Sequence, residues 1–185
     1  MRKDFGPKNY VYPQVVFIIA TYNEDGSIDA MNAAWGGTAD DKKVCMCLAS
    51  DHATTKNIIR EKAFTISIGT KSLVTECDYY GIVSANTVKD KFEKSKLHAI
   101  KSKFVNAPLI QEFPLTLECK LDRIIEPEGL VIGEIINVSI DESVLTDGKL
   151  DVKKLQPIVY SDADHKYNVI GETVADAFSI GLKLR

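Results

Sequence analysis

Hydroxyl, imidazole and amide side chains are concentrated where an apolar run gives way to a helix-like pattern. They are Ser50, His52, Thr54, Thr55 and Asn57. Unpaired N–H groups at the start of a helix attract anions such as phosphate, and neighbouring hydroxyl groups can add donors. This segment therefore predicts a phosphate site. The alternative is an ordinary helix cap at Thr54 or Thr55 beside a solvated His52.

Small residues and one aromatic residue form a second segment, Asn32-Ala33-Ala34-Trp35, which is followed by two glycines. Alanine and glycine allow a planar ligand to approach the strand backbone, whose N–H and C=O groups can pair with a heterocycle. The segment predicts a flat binding surface upstream of the phosphate site. The alternative is close packing between strands.

Cysteine is the third residue type with possible chemistry. Cys45 and Cys47 are two residues apart in a predicted strand, so both thiols face one side. A third ligand such as His52 or Cys77 would complete a metal or redox site, but the spacing of a closed four-ligand site is missing. The sequence therefore favours free thiols packed against the sheet, and no metal.

Alternation of apolar and polar residues predicts a mainly β chain with short helices. Strands are predicted at residues 14–21, 28–35, 44–49, 64–68, 115–125, 130–140 and 158–160. The first three are expected to pair in sequence order, and the strand at 64–68 is expected to be half-exposed. Helices are predicted near residue 58, within 71–103 and at 150–155. This order favours a small antiparallel barrel with its ligand outside the barrel or at a subunit contact.

Composition limits the class of protein. With 185 residues, 45% of them hydrophobic and 26% charged, residues 1–185 are expected to form a single folded domain. A formal net charge of −3 lacks the field that drives nucleic-acid or anionic-membrane binding. The sequence has no long apolar run, so we expect a cytoplasmic protein with free thiols.

A series of short patterns extends over nearly the whole chain in a fixed order. It comprises residues 13–21, Asn32-Ala33-Ala34-Trp35, Ser50 with Thr54-Thr55-x-Asn57-Ile58, Ala63-Phe64-x-Ile66-x-Ile68, Gly81-x-x-Ser84, Lys91-Phe92, Ala107-Pro108-Leu109-Ile110, Glu118-Cys119, Gly133-Glu134-Ile135 and Pro157-Ile158-x-Tyr160. The series resembles the flavin reductase-like family, particularly its flavoredoxin branch. The resemblance implies an antiparallel six-stranded split β-barrel of Greek-key type, and a homodimer with FMN near the subunit contact.

The resemblance also implies a set of cofactor-binding residues. The segment Asn32, Ala33, Ala34 and Trp35 would run along the isoalloxazine ring. The ribityl chain and phosphate would lie against Ala49, Ser50, His52, Thr54, Thr55 and Asn57, with Ser84 and Lys91 completing the pocket. Many relatives carry arginine where His52 stands, and a Ser-Gly step where this chain has Ser84-Ala85. The alternative for Lys91 is a solvated lysine in a charged run.

The resemblance implies redox chemistry supplied by the flavin, so no catalytic acid or base is nominated. One interpretation is an NAD(P)H-dependent flavin reductase that acts by hydride transfer through FMN. The alternative is a flavoredoxin-type electron carrier that accepts electrons from a redox protein partner without using a nicotinamide. The tyrosines Tyr160 and Tyr167 are expected either to cover the flavin or to lie in a mobile polar loop.

Overall fold

The structure, a computed structural model, describes all 185 residues. Its strands are β1 Gln14–Val15, β2 Phe17–Tyr22, β3 Ile28–Ala33, β4 Gly36–Asp40, β5 Lys43–Cys47, β6 Ala63–Ile68, β7 Ala99–Lys101, β8 Pro108–Ile110, β9 Leu115–Ile125, β10 Leu130–Ile140, β11 Leu145–Thr146, β12 Lys149–Leu150, β13 Ile158–Ser161 and β14 Lys166–Val169. The helices are α1 Ala53–Glu61, α2 Val74–Ile82, α3 Lys91–Ser95 and α4 Val152–Leu155, with 3-10 turns at Lys71–Leu73, Glu142–Val144 and Ile180–Leu184.

Seven strands form one antiparallel sheet in the order β3-β2-β6-β9-β10-β5-β4. The sheet curls into a half-barrel around an apolar core that includes Phe17, Met46, Phe64 and Val131. No ladder joins β3 to β4, so the barrel is split along that line. The predicted fold class, a mainly β chain with short helices in a split antiparallel barrel, is confirmed, although the main sheet has seven strands rather than six.

The seventh strand corrects the predicted pairing of the first three. Residues 36–40, which lie between two of the predicted strands, form β4, and β5 pairs with β4 and β10 rather than with β3. Backbone hydrogen bonds need no side chain, so a glycine-rich segment can join a sheet without an apolar pattern. At Gly36 a Cβ would lie 2.7 Å from the Cys45 carbonyl oxygen, which shows how closely the two backbones approach.

A second apolar core packs the outer face of β2 and β3 against α2 and α3. Ile18 and Ala30 contribute from the sheet, and Tyr80 and Phe92 contribute from the helices. This layer fixes α2 and the start of α3 beside β3, where the candidate site lies. No helix of the chain is both long enough and apolar enough to cross a membrane.

Two further expectations about strands need correction. β6 is buried on both faces rather than half-exposed, because Thr65 donates a 2.6 Å hydrogen bond to the Pro108 carbonyl and Ser67 pairs with Thr116 at 2.8 Å. The strand predicted at 158–160 is β13, which pairs with β1 and with the unpredicted β14. The long strands β9 and β10 have the predicted bounds.

Candidate functional site

A cleft of about 150 Å³ lies beside β3, between the start of α1, the end of α2 and the first residue of α3. Its lining includes Asp29, Asn32, His52, Thr54, Gly81, Ser84 and Lys91. Past Ala53 and Ala85 the cleft continues into a polar depression of about 520 Å³ that contains Lys56 and Lys89. Together the two cavities form an elongated channel whose outer end is lined by three cations, Lys56, Arg60 and Lys89, and two carboxylates, Glu24 and Asp25.

The start of α1 differs from the predicted cap. The helix begins at Ala53 with His52 at the N-cap position, and no side chain caps it. The Thr54 hydroxyl donates instead to the Asp29 carboxylate, and the Thr55 hydroxyl donates to the Ala49 carbonyl at 2.8 Å. The predicted cap at Thr54 or Thr55 is therefore wrong, because tertiary contacts supply both hydroxyls with acceptors. The uncapped first turn leaves N–H groups suited to an anion.

Lys91 lies inside the protein rather than on a solvated charged face. Its side chain is buried, and Nζ donates a 3.0 Å hydrogen bond to the Tyr80 carbonyl. Nζ also lies 5.7 Å from the centroid of the Tyr80 ring. Burial lowers the pKa of Lys91, and the nearby Asp29 charge opposes that shift. The alternative of a solvated lysine is wrong, and the cleft contains a desolvated cation.

The segment predicted to run along a planar ligand splits between different environments. Asn32 lines the cleft and donates a 2.9 Å hydrogen bond to the Cys77 carbonyl. The Ala33 side chain packs into the barrel core, so only its backbone is available to a ligand. Ala34 lies at the edge of an apolar groove of about 580 Å³, where Trp35 is 59% exposed.

Asn57 has its side chain occupied within the fold. Its Nδ2 donates to Asn23 Oδ1 at 2.8 Å and to Thr21 Oγ1 at 3.1 Å. Its Oδ1 accepts a 2.9 Å hydrogen bond from Arg60. Because the buried amide already has these partners, the main role of Asn57 is to hold α1 against β2.

The structure brings five of the residues predicted from the sequence into one cleft: Asn32, His52, Thr54, Ser84 and Lys91. Ala34 and Trp35 line the apolar groove, and Asn57 lines the polar depression. The remaining residues of the set, Ala33, Ala49, Ser50 and Thr55, line none of these three cavities. The Asn86 amide donates a 3.1 Å hydrogen bond to the Asp51 carbonyl, which ties the loop after α2 to the start of α1.

Asp29 is the residue that sequence reasoning missed. It lines the cleft and is 1% exposed, with one carboxylate oxygen bound to Thr54 and the other, Oδ1, without a partner. The sequence does mark this residue, since Asp29 is the single charged residue in the strand Ile28–Ala33. A charge buried in a strand needs a specific partner, so a lone carboxylate there indicates a special role.

The cysteines fall into two pairs. Cys45 and Cys47 face the apolar groove beside Trp35, on the outside of the barrel, with Cys47 exposed. Cys77 and Cys119 are buried, and burial raises the pKa of each thiol to about 12. No group of three or more histidine, cysteine, aspartate or glutamate side chains is placed to hold a metal ion.

Tyr160 and Tyr167 face each other across the β13–β14 pair, with ring centroids 6.0 Å apart. The Tyr167 hydroxyl donates to Asp78 at 3.0 Å, and both rings line a depression that also contains Asn32 and Gly81. The two tyrosines therefore lie in a paired hairpin next to the cleft rather than in a loop.

Comparison with solved structures finds close likeness over the whole chain. Flavoredoxin of Desulfovibrio vulgaris (Miyazaki F) is 36% identical, with a TM-score of 0.94 over 98% of this chain and 100% of that chain. Flavoredoxin from Methanosarcina acetivorans is 25% identical, with a TM-score of 0.88 over 100% of both chains. An FMN-binding domain of a flavin reductases-like enzyme from Shewanella baltica OS155 is 20% identical over 89% of this chain and 90% of that chain, with a TM-score of 0.77, and shows the shared fold.

The family assignment rests on sequence as well as on fold. The model of the flavin reductase like domain matches residues 9–168, which include the strands of the main sheet and the whole cleft. The order of short patterns noted in the sequence lies within the same range. The chain therefore belongs to the flavin reductase-like family, in its flavoredoxin branch.

Proposed function

We propose that this chain binds FMN in the channel beside β3 and transfers electrons through the flavin. The observation that carries the proposal is the meeting of the uncapped start of α1 and the buried Lys91 ammonium in one narrow cleft. Free N–H groups at a helix start, together with a buried ammonium in the same cleft, suit a ligand that carries a phosphate. The flat, small-residue end at Asn32 and Ala34 suits a planar ring.

The residues present fit FMN in charge and shape. The phosphate would lie at the first turn of α1, near His52 and the outer cations, and the ring would lie towards Ala34. FMN supplies the hydride and single-electron chemistry, so the protein has to bind the flavin, orient it and exclude water. Lys91 would place a positive charge at the wall of the cleft, and Asn32, held by the Cys77 carbonyl, would define another part of that wall.

An electron carrier is the first candidate for the physiological role. Its support is the 36% identity, over nearly the whole chain, to a protein described as a flavoredoxin. The second candidate is an NAD(P)H-dependent flavin reductase, which is supported by the similar fold of the Shewanella baltica protein described as a flavin reductases-like enzyme. In both roles the flavin is the redox group, and the two candidates differ only in the electron donor.

A homodimer is part of the same proposal. Trp35, Val11 and Leu130 surround the apolar groove of about 580 Å³, and Trp35 and Val11 are largely exposed. Apolar patches of this kind on a folded chain favour burial against another surface. Because Ala34 borders both the groove and the depression beside Asn32, a second copy seated there would lie near the flavin ring.

The experiment has two stages. Titration of the purified protein with FMN, followed by flavin fluorescence or calorimetry, tests binding, and failure to bind at 100 µM, roughly the weak end of ordinary cofactor affinity, would sink the assignment. Anaerobic mixing of the FMN complex with NADH or NADPH then tests the donor. Bleaching of the flavin at catalytic rates identifies a reductase. A flavin that stays oxidised with both nucleotides but is reduced by a low-potential redox protein identifies a carrier.

A further inference from the structure

Asp29 presents an unusual buried group to the cleft. It lies in the edge strand β3 with 1% of its surface exposed. Its Oδ2 accepts a hydrogen bond from the Thr54 hydroxyl, and its Oδ1 has no hydrogen-bond partner in the protein. A buried carboxylate oxygen without a donor is costly, so such an oxygen at a ligand cleft indicates a donor that arrives with the ligand.

The protein itself does not supply that donor. The Asp29 charge acts on Lys91, but the Lys91 Nζ donates its hydrogen bond to the Tyr80 carbonyl at 3.0 Å. The neighbouring Asn32 amide donates to the Cys77 carbonyl. No donor of the protein lies within hydrogen-bond distance of Oδ1, so its acceptor capacity is unused.

Charge decides which part of a ligand can approach Asp29. A phosphate would be repelled by the carboxylate, and any ligand group without an O–H or N–H donor would leave Oδ1 unpaired. A neutral hydroxyl group both donates to Oδ1 and adds no charge. The cleft at this point holds about 150 Å³, which suits a chain rather than a fused ring system.

We propose that Asp29 is a specificity-determining residue whose Oδ1 accepts a hydrogen bond from a hydroxyl of the ribityl chain. This assignment rests on the proposed binding of FMN. It also gives the channel a direction, because repulsion from Asp29 favours a phosphate beyond Ala53, on the side where Lys56 lies. Ligands that lack hydroxyl groups between ring and phosphate would leave Oδ1 unpaired and bind weakly.

The test compares two flavins that differ only in these hydroxyls. Riboflavin carries the ribityl chain, and a 10-pentyl flavin has the same ring with an unsubstituted five-carbon chain. We expect the unaltered protein to prefer riboflavin by at least tenfold, since a hydrogen bond to a charged acceptor is among the stronger ones. Asp29→Leu should reduce this preference below threefold, whereas Asp29→Asn, which keeps an oxygen acceptor, should retain at least fivefold.

Thr54→Val is the matched control. It removes the hydrogen bond to Oδ2 but leaves Oδ1 in place, so the preference for riboflavin should persist. If Thr54→Val abolishes the preference as completely as Asp29→Leu does, then Asp29 acts only by holding Thr54 and the assignment is overturned. Equal loss of affinity for both flavins in Asp29→Leu would overturn it as well.

A second measurement covers the case in which Asp29→Leu does not fold. In protein labelled with ¹³C at aspartate carboxyl groups, the Asp29 resonance, identified by its loss in Asp29→Asn, should shift with riboflavin and not with the pentyl flavin. Equal shifts with both flavins would contradict the assignment. Binding of neither FMN nor riboflavin to the unaltered protein overturns the proposed function and this assignment together. Binding of both flavins with equal affinity overturns the assignment alone.

Discussion

Lys91 Nζ donates a 3.0 Å hydrogen bond to the carbonyl of Tyr80, and this contact holds an ammonium group inside the protein at the wall of the cleft. Burial is the largest influence on this lysine and lowers its pKa below the usual 10.5. A buried ammonium group lowers the free energy of unfolding. Such costly buried charges are common in binding sites, where they interact with a ligand.

The first prediction concerns pH. Between the lowered pKa of folded Lys91 and the unfolded value of 10.5, the unfolded chain binds more protons than the folded one. The free energy of unfolding therefore rises with pH in that window through this group, and it is lowest where Lys91 is charged in both states. Denaturation of the flavin-free protein by guanidinium should therefore give a larger free energy of unfolding at pH 10, relative to that of Lys91→Met, than at pH 7.5. Parallel pH profiles for the two proteins would contradict the prediction.

The second prediction concerns His52, which stands exposed at the N-cap of α1. A guanidinium stays protonated and can donate two parallel hydrogen bonds to phosphate, whereas an imidazole presents a single ring nitrogen to it. His52→Arg should lower the dissociation constant of FMN about fivefold to tenfold at pH 8. Hydrogen bonds to charged groups contribute about 1.5–3 kcal/mol, and solvent screening reduces this at an exposed site. Riboflavin, which has no phosphate, should bind both proteins alike. A parallel gain for riboflavin would place the phosphate elsewhere.

The third prediction concerns the packing of β10. A Cβ at Gly133 would overlap the ring of Phe64, which is fully buried in the barrel core. Gly133→Ala should therefore lower the free energy of unfolding by about 1–3 kcal/mol through overpacking. Gly37→Ala is the control, because nothing lies within 4 Å of a Cβ there, and its effect should stay within about 0.5 kcal/mol. Equal effects of the two substitutions in urea denaturation would refute the packing argument.

The fourth prediction concerns thiol reactivity. Cys77 and Cys119 are buried with pKa values raised to about 12, so they hold little thiolate at pH 8 and are inaccessible to reagent. Ellman's reagent should modify Cys47 fastest and Cys45 more slowly in the folded protein, and reach the other two only after denaturation. Cys47→Ser should remove the fast phase. If a second copy covers the groove beside Trp35, the fast phase should slow as protein concentration rises.

Local patterns in the sequence were enough to determine several elements. The strands β9 and β10 were predicted with their observed bounds, because both alternate regularly and are joined by a turn at residues 126–129. Turn chemistry and two-residue alternation act over a few neighbouring residues, so they can be read without knowing the rest of the fold. The junction at 50–57 was placed correctly at the start of a helix for the same reason.

Only the tertiary structure decided which residues those elements bring together. Residues 36–40 form a strand because β5 offers a free edge, and Thr54 turns from the helix end to Asp29 because β3 lies beside α1. The charged run around Lys91 left a solvated position open as an alternative, and the residue is buried because α3 packs against Tyr80. Pairing, burial and hydrogen-bond partners depend on residues distant in sequence, so the direction of each side chain is fixed when the sheet and helices pack.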